Sequence, residues 1–115
     1  MNKPTRYYSN KQEKSVAIAL NGKLTPNSGA SKFSGGDVVI KEASMLIECK
    51  CAMSEKNSVS IKKEWINNLR KECLAMGKTE WAIVFDFGNI GDEYAVIPLE
   101  FLKDLLDIRE ESLYD

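Results

Sequence analysis

Two acidic residues and one lysine near the middle of the chain are spaced in a way that suits chemistry at a phosphate group. They are Asp37, Glu48 and Lys50, in the pattern D-X(10)-E-X-K. If two strands pair about a turn at Glu42-Ala43, Asp37 lies directly across from Glu48, with Cβ atoms ~5 Å apart. Two carboxylates at that distance repel each other unless a cation lies between them. The pattern therefore predicts a site for a hard cation such as Mg²⁺, which prefers oxygen ligands.

The residues on either side of this pattern add a third oxygen and a positive charge. The carbonyl of Cys49 is the candidate third ligand, and Lys50 projects from the same strand face as Glu48 because strand side chains alternate. A lysine beside a bound cation orients water, helps it lose a proton, or offsets charge that develops on a phosphate. Phosphodiester hydrolysis is the reaction that matches. The alternative is an exposed hairpin face on which Lys50 merely screens Glu48.

A further acidic residue, Glu13, lies on the apolar stripe of the first predicted helix. Three apolar residues follow it at helical spacing, namely Val16, Ala17 and Leu20. The carboxylate is therefore expected on the buried face of that helix. If the helix packs near the hairpin, Glu13 becomes a third acid that binds a metal directly or through water. Its alternative role is a capping box with Asn10.

Hydrophobic periodicity predicts the elements that must hold these residues, in the order αββαββα. Helices are predicted over residues 10–21, over residues 60–76 with Ser60 as the cap and Gly77 as the stop, and from Pro98 onwards. Strands are predicted over residues 37–40, 44–51, 81–87 and 93–97. A hairpin followed by a helical crossover favours an α/β fold with a mixed central sheet flanked by helices.

Length and composition limit the chain to one domain. With 115 residues, 43% of them hydrophobic and 29% charged, the chain is expected to fold as a single unit over residues 1–115, with a flexible arm at 1–9 and an acidic tail at 108–115. The absence of histidine excludes a Ser-His-Asp triad, and three cysteines make neither a disulfide framework nor a good zinc site. No stretch has the apolar length of a signal peptide or a membrane span, so an intracellular, cytoplasmic protein is expected.

Charge is distributed unevenly along the chain. Residues 1–78 carry 14 basic and 7 acidic residues, whereas residues 79–115 carry 2 basic and 10 acidic residues. This asymmetry favours a basic face that meets a polyanion while the acidic segment lies away from it. Chance segregation of surface charge is the alternative.

The same residues, taken in chain order, carry a resemblance to a known family. The matching segments are Glu13, the loop Asn27-Ser28-Gly29-Ala30-Ser31, Gly36-Asp37, Ile47-Glu48-Cys49-Lys50, and a helix with Ser60, Lys62 and Trp65. In this order they resemble the PD-(D/E)XK nuclease superfamily, and within it the small Holliday junction resolvase-like and phage recombination nucleases. The resemblance covers roughly residues 9–87, and it implies a restriction-endonuclease-like core. The chain departs from the family pattern at Gly36, where the family has proline.

The resemblance implies a Mg²⁺-dependent DNA endonuclease, with Mn²⁺ as a substitute metal. It assigns the metal to Asp37, Glu48 and the Cys49 carbonyl, with support from Glu13, and it makes Lys50 the residue that positions the attacking water. The DNA contacts that it implies are Ser28, Ser31, Lys32 and Lys62.

The resemblance also sets expectations for partners. Resolving a four-way junction takes two symmetric cuts, so branched DNA and a homodimer are expected, in recombination or repair, with a phage-encoded protein in a bacterial host as one option. No glycine-rich nucleotide motif occurs, so a nucleotide cofactor is not expected. Trp65 and Trp81 are expected in the core rather than against bases.

Two alternatives stay open. One is a different DNA substrate, such as a flap, a single-stranded end or a restriction-like site. The other is a noncatalytic nuclease-fold module that binds DNA or docks a partner through its acidic carboxy-terminal helix.

Overall fold

Helices and short strands alternate in the computed structural model, which describes residues 5–25, 37–89 and 91–114. The elements are α1 (Thr5–Leu20), β1 (Lys23–Leu24), β2 (Val38–Ile40), β3 (Met45–Lys50), α2 (Lys63–Met76), β4 (Glu80–Phe85), β5 (Tyr94–Val96) and α3 (Leu99–Leu113). The expected α/β class with a mixed sheet is confirmed, and the elements form a single compact domain. The structure adds one short strand, β1, to the predicted order. This strand was not predicted because the irregular composition of residues 23–36 shows no strand periodicity.

The five strands form one sheet in the order β1-β2-β3-β4-β5. Neighbouring strands are antiparallel, except that β3 and β4 run parallel and are joined by the crossover helix α2. The predicted hairpin register is confirmed at Val38 with Ile47 and at Val39 with Leu46. The turn closes where expected, because the Ser44 N–H donates to the Lys41 carbonyl at 3.1 Å. The confirmed register places the carboxyl end of β3, with Glu48 and Lys50, next to the start of β2.

Side chains of alternating orientation on β3 pack against different helices. Met45 and Ile47 join Val16 and Ala17 of α1 in one hydrophobic cluster. Leu46 belongs to a second hydrophobic cluster. The other buried members of that cluster are Leu69 and Cys73 of α2 and Ile83 of β4. Because strand side chains alternate, Glu48 and Lys50 belong to the α2 side of β3, while Cys49 belongs to the α1 side.

The helix boundaries correct three expectations. Helix α1 begins at Thr5 rather than at Asn10, so Glu13 lies outside the first turn and the capping box is wrong. Residues 5–9 are part of this helix rather than of an arm. Helix α2 begins at Lys63 and its N-cap is Lys62, without a side-chain cap, so Ser60 is not the cap. Gly77 ends α2 as predicted, with a left-handed φ of 67°.

Helix α3 lies on the outside of the domain. It extends to Leu113 and therefore makes helical most of the segment that was expected to be an acidic tail. None of residues 99–113 is buried, and the leucines of this helix at positions 99, 102, 105 and 106 are all exposed. Across the described ranges, no helix combines the length and apolar character that crossing a bilayer requires.

Candidate active site

Asp37 and Glu48 come together where β2 begins and β3 ends, through a contact that differs from the predicted one. The regular pairing of β2 with β3 ends at Val38 with Ile47. Beyond it, the Asp37 N–H donates to the Ile47 carbonyl at 2.8 Å. The Asp37 Oδ2 accepts a hydrogen bond of 2.7 Å from the Cys49 N–H. The carboxylate thus supplies the acceptor that a backbone carbonyl supplies within a ladder. The prediction that Asp37 lies directly across from Glu48 in a regular ladder is therefore wrong. Asp37 instead bonds to the backbone on either side of Glu48, at Ile47 and Cys49.

The electrostatic environment of Glu48 disfavours its charged form. Burial, followed by the negative charge of Asp37, raises the pKa of Glu48 to about 7, although the ammonium of Lys50 acts in the opposite direction. The Glu48 side chain is 26% exposed and its Oε1 lies 3.4 Å from the Lys50 Nζ. At Glu48, the ammonium of Lys50 therefore does not offset burial and the charge of Asp37. Additional positive charge at this position would stabilise the ionised form.

Lys50 is held between a carboxylate and an aromatic ring. Its Nζ lies 4.5 Å from the centre of the Trp65 ring, on α2, in addition to its ion pair with Glu48. The Nζ of Lys62 lies 5.8 Å from the centre of the same ring. The indole therefore attracts two ammonium groups by cation–π interaction. Trp65 also packs against the α2-side core, as predicted, and it links Lys62 to the site.

Glu13 is buried as predicted, but it lies on the other side of β3. It is 8% exposed, and its negative charge is among the causes that raise the pKa of the Cys49 thiol above its usual value, burial being the largest. Cys49 packs against the cluster that contains α1. Within residues 5–25, 37–89 and 91–114, no group of three or more His, Cys, Asp or Glu side chains is placed to hold a metal ion. Glu13 is therefore not gathered with Asp37 and Glu48 into one carboxylate cluster.

Two fully buried polar residues beside this site were not predicted from the sequence. Gln12 and Asp86 are both 0% exposed. The Gln12 Nε2 donates to the Lys50 carbonyl at 3.0 Å and to the Asp86 Oδ2 at 2.8 Å. The Asp86 Oδ1 accepts from the N–H groups of Ala52 at 3.2 Å and Gly88 at 2.8 Å. This network ties α1 to the ends of β3 and β4, and it holds the backbone of Lys50 in place.

The signal that could have indicated Asp86 is its position after the apolar run of β4. In the strand predicted over residues 81–87, large apolar side chains alternate with smaller ones, and this alternation assigns Asp86 to the less buried face. In the structure, Ala82, Ile83 and Val84 are all buried, so both faces of β4 are covered. A carboxylate directly after a strand covered on both faces is expected to accept buried hydrogen bonds.

Removing the Asp86 carboxylate is expected to destabilise the protein strongly. Asp86→Ala removes the acceptor of three hydrogen bonds, one from the buried Gln12 side chain and two from the part-buried N–H groups of Ala52 and Gly88, and each such loss costs about 1–3 kcal/mol. We expect the free energy of unfolding in urea to fall by about 3 kcal/mol or more. The matched control is Asp92→Ala in the exposed turn before β5, for which a change within about 0.5 kcal/mol is expected. A loss below about 1 kcal/mol for Asp86→Ala would contradict the role of this network.

Of the four residues that were predicted to contact DNA, only Lys62 can be placed. Ser28, Ser31 and Lys32 lie outside the described residues. Lys62 is exposed at the N-cap of α2 and shares the Trp65 ring with Lys50. It is therefore close enough to the site to contact a ligand that reaches Lys50.

Comparison of the chain with protein-family models, with curated proteins and with solved structures found no match. The functional interpretation therefore rests on the geometry of the site. Asp37, Glu48 and Lys50 lie close together. Trp65 and Gln12 contact Lys50. Glu13 lies on the α1 side of β3, near Cys49.

Proposed function

We propose that this protein is a Mg²⁺-dependent DNA endonuclease of the PD-(D/E)XK type, most similar to a junction-resolving nuclease. The observation that carries the proposal is the adjacency of Asp37, Glu48 and Lys50, with burial and the Asp37 charge raising the pKa of Glu48 to about 7. A perturbed carboxylate with a specific charged partner is a frequent mark of a functional site. A restriction-endonuclease-like core and a homodimer making two symmetric cuts belong to the same proposal.

The donor set fits Mg²⁺ better than a soft metal. Mg²⁺ is commonly held by one or two carboxylates while it keeps several waters, so Asp37, Glu48 and the Cys49 carbonyl suffice without a third acid. Burial is the main cause that raises the pKa of the Cys49 thiol, and it also raises the pKa of Cys51 to about 11. Both are therefore protonated at neutral pH and poor ligands for zinc. Mn²⁺ also accepts oxygen ligands and would substitute.

Each residue has a distinct task in the proposed hydrolysis. When bound, Mg²⁺ supplies Lewis acidity toward a phosphate oxygen and lowers the pKa of a coordinated water. Lys50 donates to the attacking water or to the phosphate oxygen on which negative charge develops. Trp65 and Glu48 orient its ammonium, while Gln12 fixes its backbone carbonyl. Glu13, buried on the α1 side of β3, takes no direct part in the proposed metal site.

Cleavage of a panel of DNA substrates tests the proposal. We expect the protein to cut at least one of four DNAs, a four-way junction, a flap, a single strand and a linear duplex, when Mg²⁺ or Mn²⁺ is present. Cleavage should stop in EDTA, and Asp37→Asn should be inactive in every case. Cleavage that persists in EDTA, or no cleavage of any substrate that the protein binds, would overturn the metal-dependent nuclease assignment.

A second candidate function is a noncatalytic nuclease-fold module that binds DNA or a protein partner. The exposed leucines of α3 favour it, because Leu99 is 82% exposed and Leu106 is 52% exposed. Large apolar side chains exposed at helical spacing are typical of an interaction site. Binding of DNA without hydrolysis in the same panel would support this function instead.

A further inference from the structure

A cleft of about 460 Å³ opens beside Lys50 and extends the candidate active site toward the start of α2. The charged and polar side chains on its wall include Lys50, Lys56, Ser58 and Ser60, and Trp65 supplies an apolar surface. Asp86 also lines it, but hydrogen bonds occupy both of its carboxylate oxygens. The ammonium and hydroxyl groups that remain are those that bind phosphate oxygens.

The loop that forms this wall, residues 51–62, is anchored to the turn after β4. The Lys56 N–H donates to the Phe87 carbonyl at 2.9 Å, and the Ala52 N–H donates to Asp86. Gly88 has a φ of 110°, and a Cβ at this position would lie 2.8 Å from the Glu55 Cα, so only glycine permits this close approach. The cleft is therefore formed before a ligand binds, which lowers the entropic cost of binding.

The size and position of the cleft limit what it can hold. Its volume lies within the range of roughly 300–1,000 Å³ that is typical of clefts for small organic ligands. A nucleotide inside an intact duplex is covered by its stacked neighbours and must leave the stack to enter such a cleft. Lys50 borders both the cleft and Glu48, so a phosphate of the ligand can lie at the carboxylates while the adjoining nucleotide occupies the cleft.

We propose that the cleft binds one unpaired nucleotide next to the phosphodiester bond that is cut. Lys56 and Ser60 contact the phosphate of this bound nucleotide, while the phosphate that is cut lies at the carboxylates. This inference rests on the proposed metal-dependent nuclease activity, and within that activity it favours a flap or a single-stranded end over a fully paired four-way junction as the substrate. A basic groove with an aromatic wall is the usual arrangement for binding a single strand. Uninterrupted duplex DNA is then a poorer ligand than a flap or a single-stranded oligonucleotide.

Binding to labelled oligonucleotides in EDTA tests the cleft without hydrolysis. The probes are a single-stranded oligonucleotide and a blunt duplex of the same length, measured by fluorescence anisotropy over a range of salt concentrations. We expect Lys56→Ala to weaken single-strand binding about tenfold, the loss expected for one charge-assisted hydrogen bond, and duplex binding less than twofold. The slope of log K against log salt on the single strand should fall by about 0.7.

The matched control is Lys41→Ala, an exposed lysine in the β2–β3 turn at the opposite end of the hairpin from Glu48. It should bind both probes as the unmodified protein does. If the unmodified protein cuts DNA in Mg²⁺ but Lys56→Ala binds the single strand normally, or loses both probes equally, the cleft inference is wrong and the nuclease proposal stands. If Lys56→Ala selectively loses the single strand but no DNA is cut, the cleft is supported and the nuclease proposal fails.

Discussion

Glu48→Gln is expected to abolish Mg²⁺-dependent cleavage while making the folded protein more stable at pH 8. The loss of cleavage follows because a neutral amide removes one of the two charged ligands of the proposed metal site. The gain in stability follows because burial and the Asp37 charge make the ionised Glu48 unfavourable in the folded state. A residue whose removal stabilises the fold and eliminates activity is typical of an active site.

The sign of the pH dependence follows from the direction of the shift. The pKa of Glu48 is raised from 4.5 to about 7 on folding, so between these values the folded protein retains a proton that the unfolded chain has lost. Stability therefore falls as pH rises through this window, and the full penalty is present above about pH 7. Partial exposure of the side chain reduces the penalty to the order of 2 kcal/mol. Below pH 4.5 Glu48 is protonated in both states and imposes no penalty.

Thermal unfolding at two pH values separates this prediction from a general packing effect. We expect Glu48→Gln to raise Tm by about 8 °C at pH 8 and to change it little at pH 4.5. Glu42→Gln, in the exposed β2–β3 turn, is the control and should change neither Tm nor cleavage. Cleavage by Glu48→Gln at the unmodified rate would end the catalytic assignment. An equal gain in Tm at both pH values would contradict the electrostatic explanation.

Lys50→Ala is expected to lower the rate of cleavage at least ~100-fold with little loss of DNA affinity. The ammonium is positioned by Glu48 at 3.4 Å and by the Trp65 ring at 4.5 Å, so its proposed action is on charge that develops in the transition state. Single-turnover rates at saturating protein measure this effect apart from binding. If binding collapses while the rate per bound complex stays normal, Lys50 is a phosphate anchor instead.

The pH profile of Lys50→Ala provides a second measurement of the same contact. Lys50 lowers the pKa of Glu48, so its removal should raise that pKa further. The rise of residual cleavage with pH should therefore move to higher pH than in the unmodified protein. Lys41→Ala again serves as the control, and its profile should coincide with that of the unmodified protein. An unshifted profile for Lys50→Ala would contradict the coupling between Lys50 and Glu48.

Local patterns in the sequence determined the hairpin and the end of α2. Alternation of β-branched residues and the turn at Glu42-Ala43 together imply the pairing of Val38 with Ile47, because a slip of one residue would turn every apolar side chain outward. That register is what brings Asp37, Glu48 and Lys50 to one end of the hairpin. Gly77 marks the end of α2 because its left-handed conformation is open to glycine at little cost. Each of these features depends on residues that lie close together in the chain.

Only the tertiary structure decided how the site is supported and which acids share it. Gln12 bonds to the Lys50 carbonyl and to Asp86, contacts that span 38 and 74 residues of sequence. Glu13 matches the helical stripe, but whether it joins Asp37 depends on the side of β3 against which α1 packs. No local periodicity encodes these choices, because burial of a polar group is stabilised only by partners that folding brings from distant parts of the chain.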